Sequence, residues 1–141
     1  MKRILISLLM LVSMVALAPA FAADGGKPEC AKATAGCCET SCRKCAEVCQ
    51  ATLDYCLKKG GKHASAEHIA RLKDCIALCK ASADLDSRNS KLKEKVRAIC
   101  LEACTSCAAS CEKFDDKQMK SCATTCRECA SSCKGEARKK G

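Results

Sequence analysis

The apolar positions of this chain fall on helical stripes, and the residue occupying them is cysteine rather than leucine or isoleucine. The spacing four, three, four recurs three times, at Cys38/Cys42/Cys45/Cys49, Cys100/Cys104/Cys107/Cys111 and Cys122/Cys126/Cys129/Cys133. At about 100° per residue, each set lies within an arc of roughly 60° on one helix face. Cys56 stays on the first stripe, seven residues after Cys49, and the pair Cys75/Cys79 is a reduced fourth copy. Opposite the first stripe lie Arg43, Lys44, Glu47, Asp54 and Lys58, and Arg127 and Glu128 point away from the last. Each thiol row is therefore the inner face of an amphipathic helix.

Breakers divide this pattern into four helices. Gly60-Gly61, after Lys58-Lys59, ends the first in the manner of a C-terminal glycine cap with cations near the negative helix end. A second is expected from about 65 to 85 and a third from about 90 to 113, with Asp86-Ser87-Arg88-Asn89 supplying turn chemistry between them. Asp115 or Asp116 can cap a fourth running to about 134, before Gly135. Four helices with short connections predict an all-α fold, an antiparallel up-down-up-down four-helix bundle with a cysteine-lined core. In that topology His63, His68, Phe114 and Met119 gather at one mouth, with His68 inward because it precedes Cys75 by seven residues. Leu85, Leu92, Val96 and Ile99 are expected to form a hydrophobic plug at the other end.

The first 22 residues read differently. Lys2 and Arg3 precede a long uncharged apolar run ending in Ala20-Phe21-Ala22, a small-x-small pattern for signal-peptidase cleavage. The reading is a removable Sec-type signal over 1–22 and a single domain over 23–141; the alternative is a retained anchor, since the run approaches the lower limit for a bilayer span. The implied location is periplasmic or secreted, with no membrane association once the signal is removed. Loss of Lys2 and Arg3 lowers the excess of base from +9 to +7. The signs are mixed along the chain and stacking aromatics are nearly absent, so the charge describes a solvated surface and not a nucleic-acid partner.

All 17 cysteines lie between Cys30 and Cys133. In a small exported chain the conventional inference is a disulfide framework, which would make this a secreted structural or interaction protein. An odd number and a helical spacing oppose it. Cysteines at i and i+4 hold their β-carbons about 5 to 6 Å apart, wider than the roughly 3.8 Å of a disulfide, although bridges between helices remain possible. Soft thiolates favour Cu(I), and also Zn(II) and iron–sulfur clusters. Replacing one thiol proton by one Cu(I) leaves the charge unchanged, whereas a tetrathiolate Zn(II) site carries two net negative charges, and several stacked in a narrow core would incur heavy desolvation and repulsion. Cys-x3-Cys-x2-Cys is also a cluster spacing of radical enzymes, but there it lies on a loop and here on repeated glycine-free helices. No thiol is singled out by a base and an orienting group, so the sequence carries no catalytic site.

The arrays CLEACTSCAASC and CATTCRECASSC, joined by EKFDDKQMK and preceded by HIARLKDCIALC, resemble the bacterial four-helix-bundle copper storage proteins from about Cys38 to Cys133. The resemblance implies an exported Cu(I) storage or sequestration protein, binding multiple ions and forming a homo-oligomer, a tetramer in that family. It implies as ligands Cys38, Cys42, Cys45, Cys49 and Cys56 of the first helix and Cys75 and Cys79 of the second. From the third and fourth it implies Cys100, Cys104, Cys107, Cys111, Cys122, Cys126, Cys129 and Cys133. His68 and Met119 match the residues at which copper is thought to enter, with His63 a weaker match because it sits in a connection. EKFDDKQMK lacks the histidines many relatives carry there. Cys30 and Cys37 lie about 80° to 100° off the stripe and stand as extra ligands, a disulfide or a contact between chains.

Overall fold

The protein is represented by a computed structural model, which describes residues 37–137, with side chains described for 38–134. Four helices make up the fold of the described residues: α1 (Cys37–Lys59), α2 (Ala66–Ser87), α3 (Lys93–Cys111) and α4 (Lys117–Ala137), with a short 3-10 turn at Gly61–Ala64. Each helix packs on its two neighbours, and among the described residues the diagonal pairs make no backbone contact. The result is a square bundle with alternating helix directions: Cys38 near the start of α1 meets Cys133 near the end of α4, and Cys56 meets His68 near the start of α2. The expected up-down-up-down bundle is the fold observed.

Local chemistry accounts for the corners. Gly60 and Gly61 both adopt left-handed backbone, φ 72° and 58°, and a β-carbon at either would touch nothing, so conformation rather than space requires glycine. The Gly60 amide still reaches back to the Cys56 carbonyl at 3.0 Å. α2 closes through paired bonds from Ser90 to Leu85 and from Asn89 to Asp86, with Asn89 left-handed at φ 50°, the Schellman arrangement with asparagine in the glycine place. At the start of α4, Asp116 is the cap: its Oδ1 accepts the Met119 amide at 3.2 Å. α4 runs through Gly135 to Ala137 instead of stopping before it, and α3 begins at Lys93 after a turn, later than the periodicity suggests.

Every array cysteine is inside, none more than 1% exposed. Arg43, Lys44, Glu47, Asp54 and Lys58 all face solvent, as their positions on the wheel require. The expected hydrophobic plug does not form. Leu92 and Ile99 are 57% and 50% exposed, Val96 is half-buried, and of the four only Leu85 joins the interior. Ile99 lies one residue, about 100°, off the Cys100 stripe, whereas Arg97 lies about 60° from it and turns inward instead. That end is closed by an ion pair: Arg97 Nη2 sits 2.5 Å from Asp86 Oδ1, with the side chains only 7% and 3% exposed. None of the described helices is long and apolar enough to cross a membrane. The signal-like residues 1–22 lie outside the described residues.

Candidate metal centre

The inner faces of the four helices bring fifteen free thiols into one column, with sulfur–sulfur contacts such as Cys38–Cys133 at 2.9 Å and Cys45–Cys49 at 4.0 Å where a disulfide would need about 2.05 Å. Five groups of four sulfurs each fit within 4.8 Å: Cys49/Cys107/Cys122/Cys126, Cys45/Cys49/Cys75/Cys126, Cys45/Cys75/Cys79/Cys104, Cys79/Cys100/Cys104/Cys129 and Cys42/Cys100/Cys129/Cys133. Each group takes an i, i+4 pair from one helix and single cysteines from the two helices flanking it. In the order given, the contributing pair moves from α4 to α1, α2, α3 and back to α4. Successive groups also share two sulfurs. The donor sets therefore form a spiral of edge-sharing tetrahedra that makes one turn around the bundle axis and uses every array cysteine except Cys38, Cys56 and Cys111.

The dimensions suit a metal. A tetrahedron with metal–sulfur bonds of about 2.3 Å has edges of about 3.8 Å. In the second group, five of the six edges run from 3.5 to 4.0 Å. Sharing lowers the charge that divalent ions would leave in the core. Five divalent ions on these twelve thiolates would leave only two net negative charges, not two per site. What disfavours divalent ions here is the repulsion between the metals themselves: edge-sharing centres sit about 2.7 Å apart at these bond lengths, and the Coulomb term for dications is fourfold that for monovalent ions. Monovalent Cu(I) remains the better cargo.

Without metal the column holds protons. Cys126 and Cys129 are pushed far above the ordinary thiol range, by hydrogen bonds with neighbouring thiols first (Cys107 and Cys100 foremost) and by burial after. Their neighbours Cys42 and Cys45 are shifted down through thiol hydrogen bonds from Cys100 and Cys104 and their neighbours. The thiols thus titrate as a set in which some hold protons that others accept. A metal entering the column must displace them.

The two ends differ from the middle. At the mouth, Cys56 Sγ lies 3.6 Å from His68 Nε2 and 3.7 Å from Met119 Sδ, three soft or borderline donors from α1, α2 and α4. Burial first, then the negative charge of Asp116, pushes the Cys56 thiol up to about 11, and burial lowers His68 below its ordinary value. Ser110 of α3 fixes the imidazole: its hydroxyl is 2.7 Å from Nδ1, which leaves Nε2 facing Cys56. Phe114 stacks over this set, its ring centroid 4.9 Å from His68 and 4.4 Å from His63. His63 turns its Nε2 to Asp116 at 2.7 Å, outside the sulfur set. The opposite end holds Cys38, with Cys133 at 2.9 Å and Ser82 at 3.9 Å, against the Asp86–Arg97 pair.

His68, Phe114 and Met119 gather as the topology requires. Ser110, Ser82 and the Asp86–Arg97 pair carried no signal in the thiol periodicity, although Ser110 lies only about 60° from Cys107 on the wheel. Cys30 lies outside the described residues; Cys37 opens α1, but its side chain is not among those described.

Comparison with known proteins settles the family. The sequence pattern of the copper storage proteins matches residues 30–138. The chain belongs to the copper storage protein family. Among solved structures, it is similar to a protein of Nitrosospira multiformis at 35% identity, covering 72% of this chain and 92% of that one with a TM-score of 0.68. It is similar to the Cu(I)-bound copper storage protein BsCsp3, of Bacillus subtilis, at 25% identity over 71% of this chain and 94% of that one, TM-score 0.68. A third is the copper storage protein Ccsp from Streptomyces lividans loaded with 10 copper equivalents, 26% identical over 72% and 81%, TM-score 0.67. No curated protein matches the sequence.

Proposed function

We propose that this copper storage family member is exported and holds many Cu(I) ions along its core, taking them in at the Cys56/His68/Met119 mouth and releasing them without a catalytic step. The observation that carries the reading is the spiral of five shared-edge sulfur groups. A single structural or catalytic metal needs one such group, whereas a chain of them serves capacity. The ligands are the fifteen array cysteines, with His68 and Met119 at the mouth. His63 serves the rim through Asp116, and Cys30 and Cys37, off the thiol stripe by their spacing in the sequence, are extra ligands, a disulfide or a contact between chains. Export rests on residues 1–22, whose basic start, apolar run and Ala20-Phe21-Ala22 pattern fit a Sec signal. The resemblance supports assembly as a homo-oligomer, a tetramer.

The test is an anaerobic titration of the reduced chain, recovered from the extracytoplasmic fraction and shown by mass to begin at Ala23, against a competing Cu(I) chelator. The expected result is on the order of ten or more tightly held Cu(I) per chain, one for each thiolate neutralised. About one proton should be released per ion, and binding should weaken as the pH is lowered, because protons compete for the same thiolates. A stoichiometry of about one or two, or near-zero thiol in a copper-free sample, would overturn the storage reading. Elemental analysis showing zinc in the native protein would redirect it to a divalent cargo.

A further inference from the structure

The mouth is ringed by lysines whose charge the nearby acids do not cancel. Lys58 in the last turn of α1, Lys62 in the 3-10 turn, Lys113 in the α3–α4 connection and Lys117 at the start of α4 are all exposed. Lys58, Lys62 and Lys117 form no ion pair among the described residues, and Lys113 is felt by Glu67, whose carboxyl pairs with Arg71. The other acids at this end are already engaged. Asp116 is held by Lys59 at 3.2 Å and by His63, Asp115 by Lys120 at 2.5 Å, and Glu112 by Arg127 at 2.8 Å. A protein that collects a cation thus presents a positive rim around the Cys56/His68/Met119 set.

We infer that the mouth receives Cu(I) as a small anionic complex, a low-molecular-mass thiol bearing carboxylates, and not as a free cation. The inference rests on the mouth being the way in. Two thiolates on one Cu(I) already make an anion, and carboxylates on the carrier add to it. A lysine rim attracts such a complex over about a Debye length and repels a bare cation. The receiving donors favour a small carrier over a protein surface. Cys56 and Met119 are fully buried and His68 is 3% exposed, with the tilted rings of His63 and Phe114 packed beside His68, so a bulky surface has no direct contact with the donors.

The transfer is ligand exchange at constant oxidation state. Cys56 Sγ forms a bond to copper as one carrier sulfur–copper bond breaks, and the Cys56 proton goes to the departing thiolate, which leaves as thiol. Met119 Sδ or His68 Nε2 then displaces the second carrier sulfur, which leaves as a thiolate. One negative charge enters with the complex and one leaves with that thiolate. Copper stays behind on a neutral site, able to move to the adjoining sulfurs.

The experiment measures Cu(I) uptake rates from the Cu(I)–glutathione complex and from the cationic Cu(I)–acetonitrile complex, for the full mature chain and two charge variants. Lys62→Glu/Lys117→Glu alters the rim; Lys91→Glu/Lys95→Glu makes the same charge change at the far end. The rim variant should take copper from the glutathione complex about tenfold more slowly at low ionic strength, with the gap closing in high salt. From the acetonitrile complex it should be no slower, and its final copper count should match wild type. The far-end variant should behave as wild type. Equal slowing of both variants would assign the effect to whole-molecule charge and overturn the proposal, as would an unaffected rim variant, even if an acidic protein donor were slowed. A His68→Ala/Met119→Ala chain separates the two levels. If its uptake is slowed while the rim variant is not, only the rim inference fails; if its uptake is unchanged, the mouth itself is wrong.

Discussion

The two ends of the sulfur column are built from different chemistry. At the mouth one thiol is joined by an imidazole and a thioether, under two rings and a lysine rim. At the far end Cys38 meets Cys133, Cys42 and Ser82, with no imidazole or thioether in those contacts, behind a guanidinium and a carboxylate locked together. Neutral donors exchange without changing the charge of the site, so the mouth suits traffic. A buried ion pair is costly to open because each partner left alone is an unsolvated charge, so the far end suits closure. The column has a direction although its thiol arrays are nearly symmetric along the sequence.

The far end gives the largest expected effect. Arg97→Leu leaves the Asp86 carboxylate buried and unpaired and should cost about 3 to 5 kcal/mol, read as a lowered denaturation midpoint of the copper-free protein. Arg97→Leu/Asp86→Leu removes both charges and should recover most of that loss. A recovered double variant that still loads copper at the wild-type rate would sharpen the contrast, since it shows that traffic does not use this end. A double variant as unstable as the single would mean that the pair acts through shape rather than charge.

The mouth comes next. Asp116 caps α4 and accepts from His63 and Lys59, so Asp116→Ala should cost about 1 to 2 kcal/mol at neutral pH. Burial acts to raise this carboxyl, but hydrogen bonds from His63, the Met119 amide and Lys59 outweigh it and hold it down at about 2. A depressed folded value means the stabilisation is present above the unfolded value of about 3.9 and is lost as the pH falls toward 2. Urea melts of the two proteins should therefore converge over that window. A difference that stays constant down to pH 2 would separate the cap from the charge.

Ser110 carries the smallest effect. Ser110→Ala removes the partner of His68 Nδ1 and frees the ring to turn or change tautomer, so uptake should slow about threefold to tenfold while the final copper count stays the same. Ser110→Thr, which keeps the hydroxyl, should restore the rate; if it does not, packing rather than the hydrogen bond positions the histidine.

Much of this was legible before any coordinates. A period of 3.6 against a four-three-four spacing places every array thiol on an inner face, and all fifteen are buried. Gly60-Gly61, the turn through Asn89 and the Asp116 cap follow from backbone and capping chemistry that needs no tertiary partner. Apolar composition alone does not place a residue inside: Leu92 and Ile99 are exposed, and Ile99 stands about 100° off the stripe that Arg97 approaches. Arginine at an inner position is costly alone, and only the proximity of Asp86 across the α2–α3 corner makes it acceptable. A linear pattern also does not show which sulfurs are shared, and sharing lowers the charge that five divalent ions would leave.

The sequence by itself determined that the array thiols face inward, that the first helix stops at the glycine pair and that the core is made of thiols, because these depend on interactions a few residues apart. The tertiary structure alone decided the axial stagger of the four rows. That stagger makes Cys49 and Cys126 neighbours, binds the groups into one edge-sharing spiral, and places Ser110 behind His68 and Arg97 against Asp86. Each is a meeting of side chains from different helices, set by how ridges and corners pack, and the spacing within any one helix is silent about it.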